Sequence, residues 1–77
     1  MSAPSWWERD IIYPTTEKDR EAIIHAQRVM RCPETGIMDQ NTRAHIQGFQ
    51  GLFGIRITGI LDLPTAEVIE RVRNAYA

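Results

Sequence analysis

TGIMDQNTRAHI (35–46) and TGILDLPTAEVI (58–69) are two versions of one phrase, and what that phrase does decides the fold. Six of the twelve positions are identical. Asp39 and Asp62 stand 23 residues apart, and each is followed three residues on by a threonine, Thr42 or Thr65. Apolar residues then recur at i, i+3 and i+7: Ile46, Phe49 and Phe53 after the first copy, Ile69, Val72 and Tyr76 after the second. That spacing puts each row on one face of an α-helix. Aspartate at the head of such a row accepts from the free N–H groups of the first turn and complements the positive end of the dipole. We therefore read Asp39 and Asp62 as N-caps, with Pro64 in the first turn of the second helix, where a missing N–H does no harm.

One more period upstream stands Thr16, another capping residue, followed in register by Ile23, Ala26 and Met30. Gln27 and Gln50 also correspond. The expectation is three helices, over about 17–31, 40–53 and 63–75, with ends uncertain by a few residues. Gly54 is placed to end the second in the left-handed conformation, and Cys32-Pro33 to end the first. Gly36 and Gly59 call for positive φ or close backbone approach. Ile37 and Ile60 are expected to tuck beneath the helices as plugs. Gly48, next to Phe49, is expected where two helices approach closely, and Gly51 has no evident structural reason.

Composition sets the outer limits. A chain of 77 residues makes one domain and buries only about 60% of its unfolded surface. A net charge of −1 lacks the basic footprint that phosphate contacts demand, so no nucleic-acid partner is expected. Neither a cationic amphipathic stripe nor an apolar run of roughly 20 residues is present, so no membrane partner is expected. The opening MSAPSWWERDIIYP has no basic start followed by an apolar core, so we read no secretory signal. Cys32 is the single cysteine and reads as a small buried hydrophobe.

Chemistry is sparse. His25 and His45 fall on different helices, without the i, i+4 partner of a helical zinc site. Asp39 and Asp62 are engaged as caps, and Glu34, Glu67 and Glu70 read as solvated charges. Lacking a nucleophile with its base or a paired acid, the chain is expected to be no enzyme and to carry no metal or cofactor.

The combination from Ala26-Gln27 through Gly36, Asp39 and Thr42, Phe49-Gln50, Gly54-Ile55, Ile57-Thr58-Gly59, Asp62 and Thr65 resembles the peptidoglycan-binding-domain-like family. Its members are small three-helix modules found beside bacterial cell-wall hydrolases, and a related fold forms the propeptide of matrix metalloproteinases. The resemblance covers about residues 20–73, within the usual span of such a module. Arg56 stands where the family pattern has proline, and the first inter-helix loop is short. Cys32 follows the first helix, whereas the propeptide's inhibitory cysteine follows the third, so that mechanism does not carry over. The resemblance implies an all-α three-helix bundle over 15–77 and a shallow glycan or stem-peptide groove beside the first two helices. Gln27, Asn41, Arg43, Gln47 and Gln50 are the polar residues that would flank it, although Gln27 and Gln50 could equally cap or bridge the helix bundle.

Residues 1–14 form the least family-like part, an extended N-terminal arm. Its Trp6, Trp7, Ile11, Ile12 and Tyr13 suggest a strap for other protein subunits, since aromatic residues dominate interface hot spots, with one of the two tryptophans equally able to pack back on the helices. Three functions are consistent with these readings. The favoured one is an accessory protein, decoration or structural, of a bacteriophage particle that contacts the wall. It would be made in the cytoplasm and work in a virion or at the wall after release. The others are a stand-alone peptidoglycan binder or lysis accessory, and a propeptide-like inhibitor of a hydrolase.

Overall fold

Each expected cap forms. The computed structural model describes residues 3–76 and contains α1 (Glu17–Met30), α2 (Gln40–Leu52) and α3 (Leu63–Ala75), all three in mutual contact. Thr16, Asp39 and Asp62 hold extended backbone, and their side chains accept from the amides of Asp19, Thr42 and Thr65. Among the described residues the one β-type pairing is an isolated antiparallel bridge, Ile11 to Leu61.

Helix α2 ends as its glycine requires. Gly54 has φ +69°. The amide of Ile55 donates to the Gln50 carbonyl at 3.0 Å, and that of Gly54 to Gly51 at 3.2 Å. These are the two bonds of a Schellman closure. Helix α1 ends with the same two bonds, Cys32 to Gln27 at 2.9 Å and Arg31 to Arg28 at 3.2 Å. Here the left-handed residue is Arg31 itself (φ 59°). The closure thus falls on Arg31, just ahead of the Cys32-Pro33 pair.

The core is small and aliphatic. Ile23, Ile46, Leu61 and Ile69 are fully buried, with Ala22, Ala26, Ala66 and Val68 letting the helices approach. The apolar rows enter this core at their first residues and leave it at their last: Phe49 and Val72 are half-buried, while Phe53 and Tyr76 are exposed. The final turns of α2 and α3 run past the layer that the short chain can cover.

The plugs are shifted by one residue. Ile37 is exposed and Ile60 half-buried, whereas Met38 and Leu61 point inward. Extended backbone sends successive side chains to opposite sides. The carbonyls of Ile37 and Ile60 face the interior, where they accept from Gln27 and Gln50. Gly48 does not mark a helix contact either: it is exposed, and a Cβ there would meet nothing within 4 Å.

The arm lies on the bundle. Ile11 and Leu61 exchange both backbone hydrogen bonds at 3.1 Å, Ile11 is buried, and Trp6 and Trp7 pack against the core. The radius of gyration, 11.0 Å, sits close to the roughly 11.5 Å of a compact chain of this length, which leaves no room for a projecting strap. A buried carboxylate anchors the junction of arm and α1. Asp19 takes the Arg9 guanidinium at 2.6 Å and the Thr15 amide at 3.0 Å. The Arg9 hydrogen bond, seconded by Thr15, holds its carboxyl well below the usual carboxylate range.

Candidate binding surfaces

The repeated phrase has a hidden third partner, and it removes two residues from the expected groove. Gln27 and Gln50 are fully buried. The Gln50 amide nitrogen donates to Thr58 Oγ1 at 2.9 Å, to Thr65 Oγ1 at 2.8 Å and to the Ile60 carbonyl at 3.2 Å. Its Oε1 accepts from the amides of Thr58 (2.9 Å) and Gly59 (3.0 Å). Gln27 repeats the arrangement one period earlier, donating to Thr35 Oγ1, Thr42 Oγ1 and the Ile37 carbonyl and accepting from Gly36 N. Each glutamine therefore ties the end of one helix to the Thr-Gly turn and to the first-turn threonine of the next. With their polar atoms consumed indoors, Gln27 and Gln50 offer nothing to a ligand.

Of the remaining groove residues, two come together. Arg43 and Gln47 sit one turn apart on α2, and both lean on the second Thr-Gly turn. A Cβ on Gly59, whose φ is +73°, would lie 3.1 Å from Gln47 Nε2 and 3.4 Å from Arg43 Cγ. Arg43 Cζ stands 5.5 Å from the centre of the Tyr13 ring, within cation–π range. Tyr13 itself is 64% exposed. Asn41 is separated from this group: two residues along a helix is about 200° around its axis. Its carbonyl instead accepts from, or is capped by, His45 Nδ1 at 2.8 Å. The expected aromatic strap is likewise divided. Trp6, Trp7 and Ile11 are committed to their own chain, and only Ile12 and Tyr13 face solvent.

A broad concavity lies elsewhere. The C-terminal ends of α1, α2 and α3 converge around a hollow of about 810 Å³, within the usual range for ligand clefts of about 300–1,000 Å³. Half-buried Val29, Phe49 and Val72 contribute to its lining, with the more exposed Leu52, Phe53 and Tyr76 beside them. The Phe49 and Phe53 rings meet at 5.4 Å between centroids. Its charged lining residues are Arg28, Arg31 and Arg73, and His25 completes one side. Nothing in the repeat signals this hollow, because it forms only where three helices end together.

His25 joins the hollow to the arm. The Trp6 ring stacks on it at 4.5 Å, and both Trp6 Nε1 and His25 Nε2 are buried without a hydrogen-bond partner among the described residues. Burial, then the nearby Arg73, pushes the His25 imidazole below its ordinary pKa, with Arg28 adding to the effect and Glu70 opposing it. The Cys32 thiol is buried and raised above its ordinary value, chiefly by burial and then by Asp39, so it is not activated as a nucleophile.

Among the described residues no group of three or more His, Cys, Asp and Glu side chains is arranged to hold a metal ion, and no helix is long and apolar enough to cross a membrane. Comparison with protein-family models, with curated proteins and with solved structures finds no match to this chain.

Proposed function

We propose that this protein is a non-enzymatic binding module with a peptidoglycan-binding-like fold, working as a small accessory or structural protein of a bacteriophage particle that contacts the bacterial wall. The observation that carries the wall contact is the gathering of Tyr13, Arg43 and Gln47 over the Gly59 turn. Sugars and stem peptides are held by an aromatic or apolar plate with a few convergent polar groups, and this cluster supplies an exposed ring, a guanidinium and an amide. It sits beside the motif that carries the family resemblance. Exposed Ile57 extends the plate along the same helix line, its Cδ1 3.5 Å from where a Cβ on Gly51 would stand.

The test is co-sedimentation with insoluble peptidoglycan sacculi. Wild-type protein should be retained, and a Tyr13→Ala/Arg43→Ala double variant should be released while keeping its helical circular dichroism. Equal retention of the two proteins, or of neither, removes the wall contact from the reading.

A further inference from the structure

We propose that the hollow at the joined helix ends docks an acidic, apolar-centred segment of a partner protein. Three observations carry this, none of them used in assigning the wall-facing cluster. Arg43 and Leu52 are nine residues apart on α2, about 13.5 Å along its axis, and the two surfaces share no residue.

The first observation is uncovered apolar area. Leu52 is 77% exposed and Tyr76 81%, with Phe53 between them at 39%. Contiguous exposed apolar surface of this kind marks interaction sites on soluble proteins.

The second is the charge of the lining. Arg28, Arg31 and Arg73 border the hollow, and among the described residues no carboxylate side chain does. Helix C-termini carry partial negative charge, about half a unit each, and this absorbs part of the positive charge. The carbonyls of Gln27, Arg28, Gln50 and Gly51 are taken up by the Schellman bonds. Glu34 (2.9 Å from Arg28) and Glu70 (3.4 Å from Arg73) hold two of the guanidiniums in exposed pairs. Such pairs are weak, so a partner's carboxylates can replace them. Arg31 has no ion pair among the described residues.

The third is strain. Arg31 and Gly54 occupy the same step of the 23-residue repeat and make the same closing bonds. The fold is satisfied by glycine at Gly54, yet the first copy holds an arginine at φ 59°, a conformation that L-residues adopt at a penalty. Strain kept at one position of a repeat, on the rim of an open apolar hollow, points to a side chain retained for what it meets.

The experiment is an NMR titration of isotopically labelled protein with two capped peptides. One has a Phe-Leu-Phe core flanked by glutamates, and the other has the same core flanked by lysines. The glutamate peptide should shift the resonances of Leu52, Phe53, Arg73 and Tyr76, and should bind at least about tenfold tighter than the lysine peptide, with the difference shrinking in salt. Arg31→Gly is the decisive variant, because it relieves the backbone strain. It should melt higher than wild type while binding the glutamate peptide more weakly. Equal affinity for the two peptides, shifts confined to residues away from the hollow, no saturable shift at all, or unchanged affinity in Arg31→Gly each overturns the proposal. Arg43→Ala leaves this titration unaltered, so failure here and failure at the sacculus are told apart.

Discussion

Gln50 carries more of the fold than any cap. Five polar groups converge on its one amide, three of them sharing its two N–H donors, and truncation strands the buried Thr65 hydroxyl and Gly59 amide. An unsatisfied buried polar group costs about 1–3 kcal/mol. Gln50→Leu is therefore expected to lose about 3 kcal/mol or more in urea unfolding, against about 1 kcal/mol for Asp39→Ala, which removes one cap. A Gln50→Leu midpoint within error of Asp39→Ala would show the network to be incidental. Gly48 gives the opposite sign: exposed in mid-helix with open space around its Cα, it should accept alanine with a gain of about 1 kcal/mol. The caps were legible in the sequence because a cap and its amide lie three residues apart. The glutamines are visible as a repeat, but the sequence leaves them between a surface groove and a bridge within the bundle, because the groups they satisfy lie 8 to 15 residues away, beyond the reach of periodicity.

At the scale of elements, the helices followed from the sequence almost residue for residue, and their partners did not. An i, i+3, i+7 row says which face is apolar but not how far a neighbour extends to cover it, and Phe53 and Tyr76, the last residues of their rows, stand outside. The arm was read as a strap for another protein for a related reason: nothing local tells an aromatic residue whose core it will join. Its contact with α1 has a pH signature. His25 faces Arg28 and Arg73 with Glu70 opposite, and Lys18 and Glu21 line the neighbouring cleft with Trp6. The folded imidazole titrates below its unfolded value, so the unfolded chain binds the proton first. Stability is full above about pH 6.5 and declines as pH falls below it. Asp19, held down by Arg9, adds a separate loss once pH drops beneath the ordinary carboxylate range, below about 4. Melting curves between pH 7 and 5 should fall for wild type and flatten for His25→Gln. A wild-type profile that is level over that interval contradicts the burial of His25 against Trp6.

At the scale of the whole molecule, two surfaces with different chemistry share a body only 26 × 24 × 22 Å across. One gathers an aromatic ring with polar groups around a glycine turn, and the other gathers three arginines around an apolar floor. The sequence places Arg43 and Gln47 together as groove residues but assigns Tyr13 to the arm, and it gives no sign of the second surface, since a hollow between helix ends belongs to no segment. If both proposals hold, a small module meeting a wall through one surface and a protein through the other would be suited to tethering, and each contact should be abolished without the other.

The Leu61 carbonyl accepts from both the Ile11 amide and Trp7 Nε1, and this has a consequence for how the chain opens. The glutamine ties span at most 15 residues, while the Trp7 bond spans 54. Long loops close late, and contacts made late are released early. Folding should therefore run down the repeat and finish with the arm, and the arm should be the first piece to let go. In native-state hydrogen exchange, the amides of Ile11 and Leu61 should share one opening event of low free energy, while Gly59, clamped by Gln50, exchanges only with global unfolding. Because Leu61 immediately precedes the Asp62 cap, each such opening also loosens the entrance to α3, so the arm sets the fraying rate of a helix it does not belong to.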